Sequence, residues 1–300
     1  MKSNRMMVLI GWSILMACLP AVVLAGGRGA DGFATPRCPY DPGPITSARL
    51  APWVIAHRGA SFDAPENTLA SFRKAIRDGA DAIEMDCQRT ADGRLIVLHD
   101  LLLDRTTDGT GGVGDKTLAQ LRRLDAGSWK DPKFKGERLP TLEEVAALAR
   151  EAGVGMVIEA KTPYVLDPGL AKEIVRVVEH AGMLPSTVIQ DFDHRPLAQL
   201  HALRPDVMTA PLVDAGIDQI GPIVRSCGAF AYLPGYEYIL PDRVRFAHSL
   251  GVKVCPWTVD NPDHMRKLIE AGVDGIMTNK TSLLAEVVKQ LGLEKRPWPR

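Results

Sequence analysis

Short apolar runs alternate with longer amphipathic segments along the chain from residue 52 onward. The short runs are rich in β-branched residues and favour strands, whereas the longer ones repeat apolar residues at helical spacing. The predicted strands are 53–56, 82–87, 95–99, 155–160, 187–192, 207–213, 229–233, 252–259 and 274–278. The predicted helices are 68–77, 142–151, 168–181, 195–203, 242–250, 262–270 and 282–289. This alternation indicates a parallel sheet with helices packed around it.

The number of strands favours a closed barrel. Asp92-Gly93 is a hairpin signal, so 95–99 is interpreted as an antiparallel partner of the second strand, which leaves eight strands. The segments "IRDGADAIEMD" and "IEAGVDGIMTN" share a helix end, a glycine turn and a strand, as two copies of one repeated unit would. We therefore predict an α/β fold, a (β/α)8 TIM-type barrel of about 250 residues. A doubly wound open sheet is the alternative.

A segment at about 104–140 does not follow this alternation. It contains a glycine-rich loop and one predicted short helix, 118–124, and is interpreted as a small insertion after the second strand that covers one end of the barrel. Gly109, Gly111 and Gly114 match a G-x-G-x-x-G spacing. No strand leads directly into these glycines, so the match does not favour nucleotide binding.

The N-terminal segment, 1–25, has the layout of a secretory signal peptide. Its first five residues carry two positive charges, an apolar stretch reaches residue 24, and small residues follow. Polar residues and a proline interrupt this stretch, which argues against a permanent membrane span. The alternative is a lipobox at 15–18 with acylation of Cys18. We expect export to the periplasm or beyond, a linker at 26–50, and one domain at 51–300.

Composition limits the partners of the chain. Its 36 basic and 36 acidic residues give zero net charge without a basic stripe, which does not favour nucleic acid as a partner. Four cysteines follow the signal peptide, and three disulfide pairings or simple burial as thiols remain open. They are Cys38, Cys87, Cys227 and Cys255, and their spacing fits no zinc site.

Polar residues cluster at the predicted carboxyl ends of several strands, where active sites form in barrels of this type. Residues two apart on one strand share a face, so Glu84 and Asp86 of the second predicted strand should point to the same side. The same holds for Glu159 and Lys161 at the end of the fourth. The candidates are His57 and Arg58, Glu84 and Asp86, His99, Glu159 and Lys161, and Trp257. Each has an ordinary structural explanation alone, but burying them together without a ligand or ion would cost several kcal/mol.

These residue types fit the cleavage of a phosphate ester. Three carboxylates without thiolates suit a hard divalent cation, Mg²⁺ or Ca²⁺. Arg58 and Lys161 beside such a cation suit phosphate oxygens. The two imidazoles, His57 and His99, would supply a general base and a general acid near neutral pH.

The chain resembles the glycerophosphodiester phosphodiesterases from residue 54 to about 284. The matching stretches are "AHRGA…APENTLASF", "GADAIEMDCQRTADGRLIVLHD", "LDRTTDGTG", "DAGSW", "LPTLEEV", "IEAK", "PWTVDN" and "GVDGIMTN". The resemblance is weaker between 187 and 234, where Asp191 replaces the serine usual in the family. It implies a TIM-type barrel that hydrolyses glycerophosphodiesters, small-molecule substrates, to glycerol 3-phosphate and an alcohol.

The resemblance also implies a role for each candidate. His57 and His99 would be the acid and base, Arg58 and Lys161 would hold the phosphate, and Trp257 would line the glycerol or alcohol pocket. Glu84, Asp86 and Glu159 would bind the divalent cation, Ca²⁺ or Mg²⁺. In the family a glycerol hydroxyl is thought to attack first, giving a cyclic phosphate that water opens.

The "PENT" segment, 65–68, is predicted to open the first helix. Pro65 suits a first helical turn, and Glu66 suits its positive end. Glu66 and Asn67 would either serve only this helix start or support the residues that touch metal and substrate. Two rival functions remain: a related barrel phosphodiesterase acting on lysophospholipids or phosphoinositides, and an inactive surface protein that binds phosphoesters.

Overall fold

The computed structural model describes residues 50–161, 169–217 and 219–300. The predicted signal peptide, the linker up to residue 49, Cys18 and Cys38 lie outside the described residues. Within the described part of the chain, no helix combines the length and apolar character needed to span a bilayer.

Strands and helices alternate along most of the described chain. The strands are β1 (Trp53–Ala56), β2 (Ala82–Arg89), β3 (Leu95–Val97), β4 (Gly155–Ala160), β5 (Thr187–Asp191), β6 (Met208–Val213), β7 (Ala231–Pro234), β8 (Lys253–Val254) and β9 (Gly275–Thr278). The helices are α1 (Leu69–Arg77), α2 (Leu118–Leu121), α3 (Leu142–Ala152), α4 (Leu170–His180), α5 (His194–Leu203), α6 (Ile220–Ser226), α7 (Pro241–Ser249), α8 (Pro262–Ala271) and α9 (Thr281–Gln290).

Eight parallel strands form the predicted barrel. The ladder runs β8-β7-β6-β5-β4-β2-β1-β9, and all its pairs are parallel. Backbone hydrogen bonds join its two outer strands, from Asp274 N to Val254 O (2.8 Å) and from Met277 N to Pro256 O (3.0 Å). The TIM-type barrel is confirmed.

The third predicted strand is a hairpin partner, as expected. β3 pairs antiparallel with β2, so it lies outside the eight-stranded path. The segment between β3 and α3 carries α2 and buries its own small apolar cluster: Ile96, Leu98, Leu103, Val113, Leu121, Ala126 and Leu139. This cluster gives the loops next to the strand ends a rigid support.

The inside of the barrel is filled with apolar side chains near the amino ends of the strands, which we call the base. Trp53 is 1% exposed and stacks edge-on against Trp298 at a centroid distance of 5.1 Å. The C-terminal tail is held there because Trp53 Nε1 donates to Pro297 O (3.0 Å) and Trp298 Nε1 donates to Ser186 O (2.9 Å). A Cβ on Gly155 would overlap the Trp298 indole, so this position requires glycine.

The structure differs from the predicted elements in several places. α6 is absent from the predicted helices: Gly221-Pro222 is a common turn signal, but Pro222 lies in the first helical turn, where its missing N–H is not needed. β8 ends at Val254, well before 259, since Pro256 has no N–H for a ladder.

The helix start at "PENT" also differs from the expectation. α1 begins at Leu69 with Thr68 as its N-cap, so Pro65 and Glu66 precede the helix and do not form its first turn. Asn67 has a φ of 57°, which is incompatible with helix. The segment is a loop that leads into α1.

The described cysteines are thiols. Cys87, Cys227 and Cys255 are buried and unpaired, so no disulfide links any of these three. Burial raises the pKa of each thiol. These are the properties of core residues and not of reactive ones.

A buried carboxylate at the base predicts a pH-dependent contribution to stability. Asp274 is 2% exposed; His248 Nε2 (2.7 Å) and the Val254 N–H (2.9 Å) bond to it, and Arg296 pairs with it. Although burial opposes ionisation, the bond to His248 and the charges of Lys253 and Arg296 lower its pKa to about 2.

We expect Asp274→Asn to lower the free energy of unfolding by about 3 kcal/mol at pH 6, because it removes the buried negative charge that His248 and Arg296 contact. The folded pKa lies below the unfolded value, so the contribution is present above about pH 4 and is lost as pH falls toward 2. Urea titrations between pH 3 and 7 measure it, with the exposed Asp206→Asn as control. A difference that is constant with pH would contradict this assignment.

Candidate active site

Three acidic side chains meet inside the barrel at the carboxyl ends of the strands. Glu84 and Asp86 lie two apart on β2, and Glu159 of β4 is the register partner of Asp86. One carboxylate oxygen from each lies within 4.8 Å of the others. The residues are only 1%, 1% and 8% exposed, respectively. Strand alternation and parallel pairing therefore produce one buried acidic cluster.

The cluster carries more negative charge than its surroundings readily accommodate. Burial and the Asp86 charge raise the pKa of Glu84 well above its usual value and that of Glu159 to about 7. Asp86 differs: burial opposes its ionisation, but Arg58, Lys161 and His99 hold its pKa below the ordinary value. An all-oxygen cluster with this unbalanced charge fits a hard divalent cation. Glu84, Asp86 and Glu159 would be its ligands.

Two cations border the acidic cluster. Arg58 Nε lies 3.3 Å from Asp86 Oδ2, and the Arg58 N–H donates to Glu84 Oε2 (2.9 Å). Lys161 Nζ lies 2.7 Å from Glu159 Oε1 and 3.6 Å from Asp86 Oδ1. Both side chains are 18% exposed, so each can still reach an anion that enters the mouth of the barrel.

The turn that carries Arg58 is tightly constrained. Arg58 has a φ of 54°, and Gly59 follows with a φ of 80°. A Cβ on Gly59 would lie 2.4 Å from Ser71 Oγ, so only glycine fits against the start of α1. Positive φ at a residue other than glycine costs free energy and is commonly found at functional sites.

His57 ends β1 with one ring nitrogen fixed. Its Nδ1 lies 2.7 Å from Asn279 Oδ1, which accepts the Nδ1 proton. Burial and the neighbouring Arg58 charge lower the pKa of His57 to about 4. At neutral pH the ring is therefore uncharged, and Nε2 carries a lone pair that can accept a proton.

His99 follows the hairpin strand β3 and is held by β2. The Leu98 N–H donates to Asp86 O (2.9 Å), and Gln88 Nε2 donates to Leu98 O (2.7 Å) and Asp100 O (2.8 Å). His99 Nδ1 donates to Asp100 Oδ1 (2.6 Å), so Nε2 is the ring nitrogen left for substrate. Both imidazoles are close enough to Asp86 to interact with its charge.

Glu66 and Asn67 contact site residues directly. Glu66 Oε1 accepts from Arg58 Nη1 (3.0 Å), and Asn67 Nδ2 donates to Asp86 Oδ2 (2.8 Å). Asn67 is fully buried at its positive φ. Both residues therefore contact side chains of the candidate site.

Sequence reasoning missed Arg105, which connects the two halves of the site. Its guanidinium donates to Asp100 (Nε–Oδ2, 2.6 Å) and to Glu66 (Nη1–Oε2, 2.8 Å). It therefore links the carboxylate that orients His99 to the carboxylate that orients Arg58. The signal was available, because Arg105 lies in the matched stretch "LDRTTDGTG".

We expect Arg105→Lys to lower kcat about 10-fold to 100-fold, because an ammonium keeps the charge but cannot bridge both carboxylates in this geometry. Because the Arg105 side chain is 44% exposed, the melting temperature of the variant should differ little from that of wild type. Steady-state kinetics and thermal melts test this. Arg94→Lys, which alters an exposed pair with Glu143, is the matched control. Equal kcat values for the two variants would refute the role.

Trp257 lies at the rim of the barrel, and Asp191 ends β5, the strand paired with the β4 strand that carries Glu159. Trp257 is partly buried, donates to Leu233 O (2.8 Å) and packs edge-on against Phe192 at 5.5 Å. Gln190, the register partner of Glu159, donates to Glu84 Oε1 (2.9 Å). Asp191, the next residue on β5, is 3% exposed and lies close enough to Glu159 and Lys161 to interact with their charges. Gln190 is the β5 residue whose side chain hydrogen-bonds to the acidic cluster, and sequence reasoning did not select it.

The fold and this site together define a phosphoric diester hydrolase built on a TIM-type barrel. A model of the glycerophosphoryl diester phosphodiesterase family matches residues 57–283. The chain belongs to this family.

Similar sequences and solved structures agree with this. The chain is 39% identical over 239 residues to a glycerophosphodiester phosphodiesterase of Caldanaerobacter subterraneus, covering 80% of this chain and 98% of the relative. It is 36% identical to one from Bacillus subtilis (79% and 86% covered). An Oleispira antarctica phosphodiesterase, solved with the product sn-glycerol-3-phosphate, superposes with a TM-score of 0.76 at 29% identity (80% and 97% covered).

Proposed function

We propose that this protein hydrolyses glycerophosphodiesters to glycerol 3-phosphate and an alcohol at a divalent-cation site, with His57 and His99 as the proton-transfer groups. The observation that carries the proposal is the convergence of the buried carboxylates, two cations and two imidazoles at one end of the barrel. The sn-glycerol-3-phosphate bound by the Oleispira relative supports the identity of the product.

The hydrogen bonds of the two imidazoles support different roles for them. His57 is neutral with its proton on Nδ1, so its Nε2 takes the proton of the attacking hydroxyl. His99, held through Nδ1 by Asp100, donates its Nε2 proton to the oxygen of the departing alcohol. In this step the glycerol hydroxyl forms a new P–O bond as the P–O bond to the departing alcohol breaks, which leaves a cyclic phosphate, a proton on His57 Nε2 and none on His99 Nε2. Water then opens the cyclic phosphate with the roles exchanged: His99 takes a proton from the water and His57 returns one to the glycerol oxygen.

Arg58 and Lys161 bind the phosphate from two sides of the cluster. The Arg58 fork matches two phosphate oxygens, and Lys161 supplies a point charge. Each cation is anchored on a carboxylate, so neither has to be ordered when substrate arrives. Trp257 lines the part of the rim where the glycerol or alcohol group would lie.

Glu84, Asp86 and Glu159 would hold Ca²⁺ or Mg²⁺. When bound, such a cation polarises the phosphate and lowers the pKa of a hydroxyl near it. Export would favour Ca²⁺, which is more available outside cells.

We further propose that residues 1–25 are removed on export. N-terminal sequencing of the periplasmic protein should then begin near residue 26. A mature chain acylated at Cys18 would contradict this and would indicate a lipid anchor.

The function is tested with the full chain and a panel of glycerophosphodiesters. We expect glycerol 3-phosphate release from glycerophosphocholine with Ca²⁺ or Mg²⁺, loss of activity in EDTA, and recovery on adding the cation. Choline release from lysophosphatidylcholine without cleavage of glycerophosphocholine would favour a lysophospholipid-specific enzyme. Binding without turnover at any cation concentration would favour the inactive binding protein.

A further inference from the structure

Asp260 is not part of the acidic cluster and, within the described chain, its side chain hydrogen-bonds to Thr278 and Asn279 and not to the groups assigned to catalysis. It follows β8 and accepts three hydrogen bonds from the end of β9. The donors are Thr278 Oγ1 (2.9 Å), the Asn279 N–H (2.9 Å) and Asn279 Nδ2 (2.7 Å). Asn279 in turn presents Oδ1 to His57 Nδ1 (2.7 Å).

The chemistry of these groups fixes the direction of every bond. A carboxylate only accepts, so the Asn279 atom that faces Asp260 is the NH₂ group. The oxygen of the same amide must then face His57, and an amide oxygen only accepts. His57 Nδ1 therefore carries the proton, and Nε2 is left as the basic nitrogen. Ser61 Oγ, 2.8 Å from the same oxygen, is compatible with this direction.

We propose that Asp260 is a positioning residue that sets the tautomer of His57 through the amide of Asn279. The proposal rests on the proposed function, in which His57 Nε2 accepts a proton. Without the carboxylate, Ser61 Oγ is the remaining described side-chain partner of the amide besides His57, and it does not fix the orientation, because its one proton can go to His57 O (2.8 Å) while its oxygen accepts from a reversed amide. A reversed amide would present NH₂ to His57 Nδ1 and place the imidazole proton on Nε2, where it blocks the base.

Asp260→Asn removes the constraint at the smallest change in volume. The new side chain cannot accept from all three donors, so the Asn279 amide is no longer held in one orientation. We expect kcat to fall about 10-fold to 100-fold, the usual cost of losing a partner that orients a functional imidazole, with a smaller change in KM. The exposed Asp242→Asn on α7 is the matched control and should leave kcat unchanged.

The double variant Asp260→Asn/Asn279→Asp reverses the direction of the side-chain hydrogen bond between positions 260 and 279. It keeps the bonds from Thr278, from the backbone N–H of position 279 and from His57. The amide now at position 260 accepts from Thr278 and from the backbone N–H of position 279. Its NH₂ donates to the carboxylate now at position 279, whose other oxygen accepts from His57 Nδ1. We expect this exchange to recover most of the lost kcat. It also adds a carboxylate to the groups facing His57, which are Arg58, Asp86 and Glu66, so the acidic limb of the kcat/KM profile should move to higher pH.

The tautomer is read directly by ¹⁵N–¹H long-range NMR on the full-length protein, with His57 assigned by its loss in His57→Gln. We expect a single Nδ1–H form in wild type, a mixture in Asp260→Asn and a single Nδ1-protonated form in the exchange variant. An unchanged tautomer and kcat in Asp260→Asn would overturn the inference. The inference would also be overturned if the exchange variant restored neither the Nδ1–H tautomer nor kcat, since the role of Asp260 would then be structural only.

This outcome is separable from failure of the proposed function. If wild type releases no glycerol 3-phosphate, or if His57→Gln turns over normally, the proposed function fails. The NMR measurement needs no activity, so it still tests whether Asp260 controls the imidazole. If His57→Gln is inactive but Asp260→Asn behaves as wild type, only the inference falls.

Discussion

His57→Ala and His99→Ala are each expected to lower kcat by at least about 100-fold, because each removes one of two proton-transfer groups. Both rings are only partly exposed and each is oriented by a side-chain oxygen, Asn279 Oδ1 or Asp100 Oδ1. Proton transfer at the attacking and leaving oxygens depends on rings fixed in place, and water at the same position is a weaker acid and base. Steady-state release of glycerol 3-phosphate measures the loss.

The two variants should also differ in their dependence on the substrate. A leaving alcohol of low pKa needs little protonation, so an activated aryl diester should rescue the acid variant, His99→Ala, more than the base variant, His57→Ala. His180→Ala, at an exposed position at the end of α4, is the matched control. Near wild-type turnover in either site variant would remove that histidine from the mechanism, and equal rescue would remove the assignment of roles.

Removing the divalent cation should abolish activity and lower the stability of wild type, whereas Glu159→Gln should stabilise the metal-free protein and make its stability nearly independent of the cation. In the metal-free protein, burial and the nearby Asp86 raise the pKa of Glu159 to about 7. Its ionised form is therefore a cost to the folded state. Glutamine removes that charge while its side-chain oxygen can still accept from Lys161 Nζ.

The pH dependence of this cost follows from the two pKa values. A carboxyl whose folded pKa lies above its unfolded value destabilises the protein fully above the folded pKa, and the cost disappears below the unfolded one. Without metal, Glu159→Gln should thus be more stable than wild type by about 1–3 kcal/mol at pH 8, and equal to it near pH 4. With the cation, wild type should gain stability and the variant should gain little.

Urea titrations with EDTA or with added Ca²⁺ or Mg²⁺ measure both differences. Glu151→Gln at an exposed position of α3 is the matched control, and Asp86→Ala should lose activity at every cation concentration. A variant that is less stable than wild type in EDTA at pH 8 would contradict the charge imbalance. An equal gain from the cation in both proteins would exclude Glu159 as a ligand.

The barrel was predictable because its signals are local. Each strand is a short apolar run closed by a turn, and Asp92-Gly93 marks the β2–β3 hairpin directly. Errors arose where a local signal has two meanings. Gly221-Pro222 signals a turn but also fits the first turn of α6, and only packing decides between them. Pro65 likewise suits a helix start, yet the loop before α1 is folded around Arg58 and Asp86.

The site residues that could be predicted are those that lie at a strand end and contribute to the site directly. Glu84, Asp86 and Glu159 follow from alternation and strand order, so their convergence could be deduced. Arg105 and Asp260 act through other side chains, and which carboxylate or amide they meet depends on loops that no periodicity describes. Both lie within stretches that match the family, so the resemblance contained them without indicating what they do.

The described polypeptide enters and leaves the barrel at one pole. Leu50 bridges to Glu294 at the base, and the tail continues across it to Trp298, whereas the histidines and carboxylates open at the opposite pole. Arg300 also lies at the base, where its guanidinium donates to Gly153 O (3.3 Å). A resin or fused domain attached at residue 300 would therefore leave the mouth of the barrel facing away from the point of attachment.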